Sequence, residues 1–210
     1  MRILSLMCAL VFIGFCAQAQ TKAVTETGDE VLLFDDGTWK YVKDSVYVKK
    51  EISMNPKKFV KSASATFLLK SKKANTGVWL NPKKWSFEKS VTNEAAEYNL
   101  NLRGGDLYGL MINERLSVPL ETLKLVAVEN AKRVATNFKL LKEEYRMVNG
   151  KKVIFLEMEG VLQGLKFVYN GYYYSSKKGS TQLLVYTSRE LYKEYQNDIA
   201  EFLNGLVELE

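Results

Sequence analysis

Glu157 and Glu159 stand two residues apart in a run that reads as a β-strand, so both carboxylates project from one face, about 7 Å apart. At that separation one carboxyl can protonate a glycosidic oxygen while the other activates a water, as in inverting glycan hydrolysis. The same residues have a plainer reading. Val153 and Phe155 share the face, and the two glutamates mark where it emerges into water. Tyr172 and Tyr174 form a second same-face pair, suited either to stacking on a sugar or peptide or to core packing with hydroxyls at the rim. A third set, Phe34, Trp39 and Tyr41, flanks the Asp36-Gly37 turn and would make an aromatic platform if left uncovered.

Composition excludes more chemistry than it suggests. The chain has no histidine, which removes the commonest general base, the commonest zinc ligand and the Ser-His-Asp and Cys-His machines. Residues 1–19 read as a cleaved secretory signal. Arg2 opens it, residues 3–15 form an apolar run too short for a comfortable membrane span, and Ala17-Gln18-Ala19 offers the small-x-small cleavage pattern. Cys8 and Cys16 both fall inside that segment, so the mature chain is expected to have no thiol, disulfide or thiolate metal site. Lipidation at Cys16 stays open, although Phe15 stands where a lipobox has a small residue. No nucleotide fingerprint, EF-hand loop or metal-ligand spacing is present. "SSKKGS" and "RGGD" read as turns, and no cofactor is expected.

The formal charge of +6 is concentrated. Residues 43–89 hold twelve lysines against Asp44, Glu51 and Glu88. Lys49, Lys50, Lys57 and Lys58 are the candidates for a weak, salt-sensitive attraction to an anionic envelope polymer or to lipid headgroups. Peripheral membrane contact is the most this supports. Nucleic acid is not an expected partner, because no recognition pattern is interleaved with the lysines.

The elements that must position these groups follow from periodicity. Residues 30–34 and 38–43 read as a hairpin through Asp36-Gly37, with Phe34 opposite Trp39 and Leu32 opposite Tyr41 on one face. Residues 44–62 read as a lysine-rich connector. Short strands follow at 65–69, 77–80, 85–87, 97–102 and 107–113. In the fourth of these, Tyr98, Leu100 and Leu102 alternate with Glu97, Asn99 and Asn101. Leu120, Leu123, Ala127, Ala131 and Val134 then recur at helical spacing behind Pro119. Hairpins join residues 139–148 to 152–158 through Asn149-Gly150, and 164–174 to 181–186. Thr187-x-x-Glu190 reads as a capping box ahead of a terminal helix striped by Leu191, Tyr195, Ile199, Phe202 and Leu206. The expected class is α+β, an antiparallel sheet flanked by two amphipathic helices and preceded by an N-terminal β-hairpin.

The stretch from "GVWLNPKKWSFEKS" to the terminus resembles the PsbP/Mog1p-like fold group. The resemblance lies in an early strand ending in a Pro-x-x-Trp-like turn, a helix after a hydrophobic strand, the "VNGKKV" hairpin, long aromatic strands and a C-terminal helix. It covers about residues 63–210 and implies an α+β domain of the kind that commonly serves as a non-enzymatic binding or assembly factor. It carries over no catalytic residues. The expected organisation is a signal at 1–19, a hairpin at 20–43, a connector at 44–62 and the domain at 63–210. The expected function is a periplasmic or extracellular non-enzymatic factor that binds an envelope protein or anionic polymer. The alternatives are a carboxylate-dependent glycan hydrolase and a structural tether to anionic wall or lipid surfaces.

Overall fold

The computed structural model describes residues 21–25, 30–42, 51–91 and 93–210. The expected signal, Lys49 and Lys50 lie outside them. The chain divides into two units, Met1–Val46 and Tyr47–Glu210.

In the first unit, β1 (Thr21–Val24), β2 (Glu30–Leu33) and β3 (Trp39–Tyr41) form an antiparallel sheet in that order, so the hairpin gains a third strand. Its register differs from the expected one. Thr38 donates from its backbone N–H and its hydroxyl to Asp36 Oδ1, at 2.8 and 2.6 Å, and Phe34 N–H donates to the Thr38 carbonyl at 2.9 Å. This Asx-type capture enlarges the turn and draws Phe34 into it. Trp39 therefore pairs with Leu33 and Tyr41 with Val31, while Leu32 pairs with Lys40 on the opposite face.

The second unit corrects the expected fold class. It is mostly β, built on an eight-stranded mixed sheet instead of an antiparallel sheet flanked by two amphipathic helices. Along the chain come β4 (Met54–Phe59), β5 (Phe67–Lys70), β6 (Thr76–Leu80), β7 (Trp85–Lys89), β8 (Tyr98–Leu102) and β9 (Tyr108–Glu114). Helix α1 (Leu120–Val134) precedes the long strands β10 (Thr136–Val148), β11 (Lys151–Leu162), β12 (Leu165–Ser176) and β13 (Gly179–Ser188). The short helix α2 (Gln196–Leu203) and β14 (Leu206–Glu208) close it. The large sheet runs β4-β10-β11-β12-β13-β9-β8-β7, and a second sheet runs β14-β6-β5.

Two departures account for the difference. Met54–Phe59, inside the stretch read as a connector, is an edge strand parallel to β10. An edge tolerates Pro56 and the exposed Lys57 and Lys58, which mask the strand in sequence. The terminal helix is half its expected length. Thr187 stays in β13 and donates its hydroxyl to the Asp106 carbonyl at 2.6 Å, so no capping box forms.

Alternation gives the large sheet two buried faces. Leu100, Met111, Val153, Phe155, Tyr172, Leu183 and Val185 point to one, where α2 supplies Ile199, Phe202 and Leu203 and the second sheet supplies Leu69, Val78, Leu80 and Leu206. Ile154, Leu156, Met158 and Tyr173 point to the other, against Leu123, Ala127 and Val128 of α1.

An ionic network ties β4 to the large sheet. Asn55 Nδ2 donates to Glu144 Oε1 at 3.0 Å, Arg146 Nε donates to the same oxygen at 2.6 Å, and Lys142 Nζ lies 3.2 Å from Oε2. Burial alone would raise the Glu144 carboxyl, but the bonds from Asn55 and Arg146 outweigh it and hold the group below its usual range. A depressed folded-state pKa contributes stability that is present above the unfolded value, near 4.5, and is lost as pH falls through the folded one. Denaturation midpoints should therefore decline below that pH, and Glu144→Gln should flatten the decline while lowering stability at pH 7. An unchanged acid slope in this variant would show that Glu144 is not the group responsible.

Candidate functional site

The sequence-derived candidates do not converge. Glu157 and Glu159 do share a face of β11, opposite Asn170 and Val168 of β12. Glu159, however, is 5% exposed rather than emerging into water, and its oxygens lie 3.0 Å from Lys166 Nζ and 3.4 Å from Arg189 Nε. A carboxylate held between two cations is arranged as an ion pair and leaves no oxygen lined up for a glycosidic bond.

Tyr172 is 1% exposed and Tyr174 is also buried. Tyr172 Oη accepts from Arg146 Nη1 at 3.1 Å and donates to Asn204 Oδ1 at 2.9 Å. Tyr174 is raised above the ordinary phenol range by burial and by its bond to Glu208. Neither ring offers a face to a ligand. Trp39 and Tyr41 are half-exposed in the first unit, at 53% and 50%, and meet edge to face at 5.2 Å. Phe34, in the turn, lies under Lys40 Nζ at 5.5 Å. Lys57 and Lys58 are exposed on β4 of the second unit.

The side chains that are brought together lie elsewhere, on the α1 side of the large sheet. Helix α1 packs across β10, β11 and β12. Beyond it the pairing sets Tyr169 of β12 beside Tyr186 of β13, Tyr186 beside Tyr108 of β9, and Tyr108 beside Asn101 of β8. One pleat further, Leu184 pairs with Leu110, and Leu110 with Asn99. All of these are half-buried. Tyr169 and Tyr186 stack at 5.3 Å between ring centroids, Tyr186 and Tyr108 lie 5.6 Å apart, and Phe167 closes on Tyr186 at 6.2 Å. Asn99, Asn101, Tyr108, Leu110 and Tyr186 line a shallow hollow of about 290 Å³, with Glu88 at its rim.

Its inner groups are uncharged, with the carboxylates of Glu88 and Asp106 at the edge. Burial raises the phenols of Tyr169 and Tyr186. Burial and the bond to Asp106 raise that of Tyr108, whose hydroxyl donates to Asp106 Oδ1 at 3.2 Å. Protonated phenols and two amides can donate and accept hydrogen bonds while the rings and leucines supply apolar area. Part of this surface's signal was visible in sequence, in the Asn99–Asn101 alternation. Glu97 departs from that alternation. It is buried and accepts hydrogen bonds from Ser71 Oγ, the Lys72 N–H and Asn113 Nδ2 at 2.6, 2.6 and 3.0 Å. Among the described residues no group of His, Cys, Asp and Glu could hold a metal ion, and no helix is long and apolar enough to cross a membrane.

No protein-family model and no curated protein matches this sequence. Among solved structures the chain is similar to PsbP of the cyanobacterium Synechocystis, at 10% identity and a TM-score of 0.49, over 70% of this chain and 94% of that one. It is similar also to a Pseudomonas aeruginosa protein of unknown function, at 12% identity and a TM-score of 0.41, over 63% of this chain and 89% of that one. The PsbP-like resemblance read from the sequence thus has a counterpart among solved structures. The likeness says nothing of function.

Proposed function

We propose that this chain is an exported, non-enzymatic binding or assembly factor of the cell envelope, and that it engages a protein partner through the tyrosine–asparagine half of its large sheet. The signal-like pattern at 1–19 supports export, and the lack of histidine supports a role without acid–base catalysis. The observation that carries the reading is the stacked row Tyr169–Tyr186–Tyr108 beside Asn99 and Asn101. A broad, shallow, largely uncharged surface of this kind suits a folded partner, because tyrosine adds apolar area and a hydrogen bond at low entropic cost.

Removing two rings tests it. Tyr108→Ala with Tyr186→Ala should cost about 2 kcal/mol of stability, since neither side chain is fully buried. The same change should lower recovery of the partner from envelope extracts at least about tenfold, as loss of central interface aromatics does. Equal recovery by wild type and variant would refute the surface. Glycan turnover abolished by Glu157→Gln would refute the non-enzymatic reading.

A further inference from the structure

One end of the second unit gathers three chain connections. The turn between β5 and β6 carries Lys72 and Lys73, the turn between β12 and β13 carries Lys177 and Lys178, and Arg115 and Leu116 follow β9. The three are held side by side. Ser176 Oγ donates to Asn75 Oδ1 at 3.0 Å, Ser180 pairs with Glu114, and a methyl group added at Gly179 would meet the Glu114 carbonyl at 2.3 Å and Ala74 Cβ at 3.3 Å. The backbone beneath the cations is pinned. Lys73 N–H and Ala74 N–H donate to Ser71 Oγ at 2.9 and 3.0 Å, Lys72 N–H donates to buried Glu97 at 2.6 Å, and Lys178 N–H donates to Ser176 Oγ at 3.2 Å.

All five cationic side chains are exposed, and among the described residues none enters an ion pair. Of the carboxylates nearby, Glu97 is turned inward, Glu208 is paired with Lys151, and Glu114 and Glu210 are exposed, two against five cations. Leu116, 63% exposed, stands next to Arg115.

From this arrangement we infer that the end formed by Lys72, Lys73, Arg115, Lys177 and Lys178 docks on an anionic lipid surface. The charge is complementary to phosphate headgroups, and it is spread over three loops instead of being gathered around a pocket, as a surface requires and a discrete anion does not. A protruding leucine among cations adds apolar insertion at the headgroup boundary. No aromatic side chain is interleaved with the cations, so base stacking on a nucleic-acid strand has no platform. Tyr186 lies six positions along β13 from Ser180, about 20 Å at strand rise, so a lipid-docked unit keeps its tyrosine row clear for a partner. This role is independent of the partner surface proposed above.

Vesicle co-sedimentation of the full chain tests it, with phosphatidylcholine vesicles containing or lacking about 30% phosphatidylglycerol. Binding is expected to the anionic vesicles alone and should weaken as salt screens the charges. Lys177→Glu with Lys178→Glu should weaken it at least about tenfold. Arg103→Glu with Lys139→Glu, which changes net charge equally at the opposite end of the large sheet, should alter it less than about twofold. Equal losses in the two variants would overturn the inference, since net charge alone would then govern binding. Absence of binding at low salt, or binding to soluble polyglutamate without vesicle binding, would overturn it also.

Discussion

Phe202→Ala is expected to lower the unfolding free energy by about 3–5 kcal/mol, the range for truncating a fully buried aromatic. Phe202 is 1% exposed and lies with its ring centroid 4.4 Å from that of Trp85, beneath the large sheet. A methyl group added at Gly109 would come within 2.9 Å of its ring tip, so the sheet has been shaped to receive it. Close-packed surroundings on several elements cannot all move in to fill the void. A loss below about 1 kcal/mol in reversible denaturation would show that α2 does not pack there.

The second large effect is expected at Arg146. Its guanidinium carbon sits 3.6 Å from the ring centroid of Phe155 and 4.5 Å from that of Phe59, while its nitrogens bond Glu144 and Tyr172. Arg146→Ala removes the cation and leaves the largely buried Glu144 carboxylate short of its main partner, a change that costs about 3–5 kcal/mol when a buried pair is broken from one side. Adding Glu144→Leu to that variant should recover part of the loss, because two apolar groups need no compensation there. If the double variant is no more stable than Arg146→Ala alone, the carboxylate was not the source of the cost.

What could be read from the residues depended on how local the determining contacts are. Asn149-Gly150 both take positive φ, 47° and 82°, and the hairpin they make was legible because its chemistry lies in two adjacent residues. The stripe Ile199–Phe202 was legible for the same reason. The start of the terminal helix was not, because the Thr187 hydroxyl is taken by the carbonyl of Asp106, distant in sequence. The β4 edge was hidden by lysines and a proline that only an edge accepts. Trp39 and Tyr41 were seen, but their partners shifted by one residue when Asp36 captured Thr38. The tyrosine row was least legible, since Tyr108, Tyr169 and Tyr186 come from three strands that no local pattern brings together. Tyr172 and Tyr174 were legible as a same-face pair because they stand two apart in one strand, and the pleat sends them inward.

The claim most in need of a direct measurement is that the tyrosine row is the contact surface. A photo-crosslinking phenylalanine analogue placed at Tyr186 of the full chain, and in parallel at the exposed Glu129 of α1, would report what each position touches in cells. A discrete adduct from position 186 and none from position 129 is the expected result. No adduct from 186, or the same adduct from both positions, would contradict it.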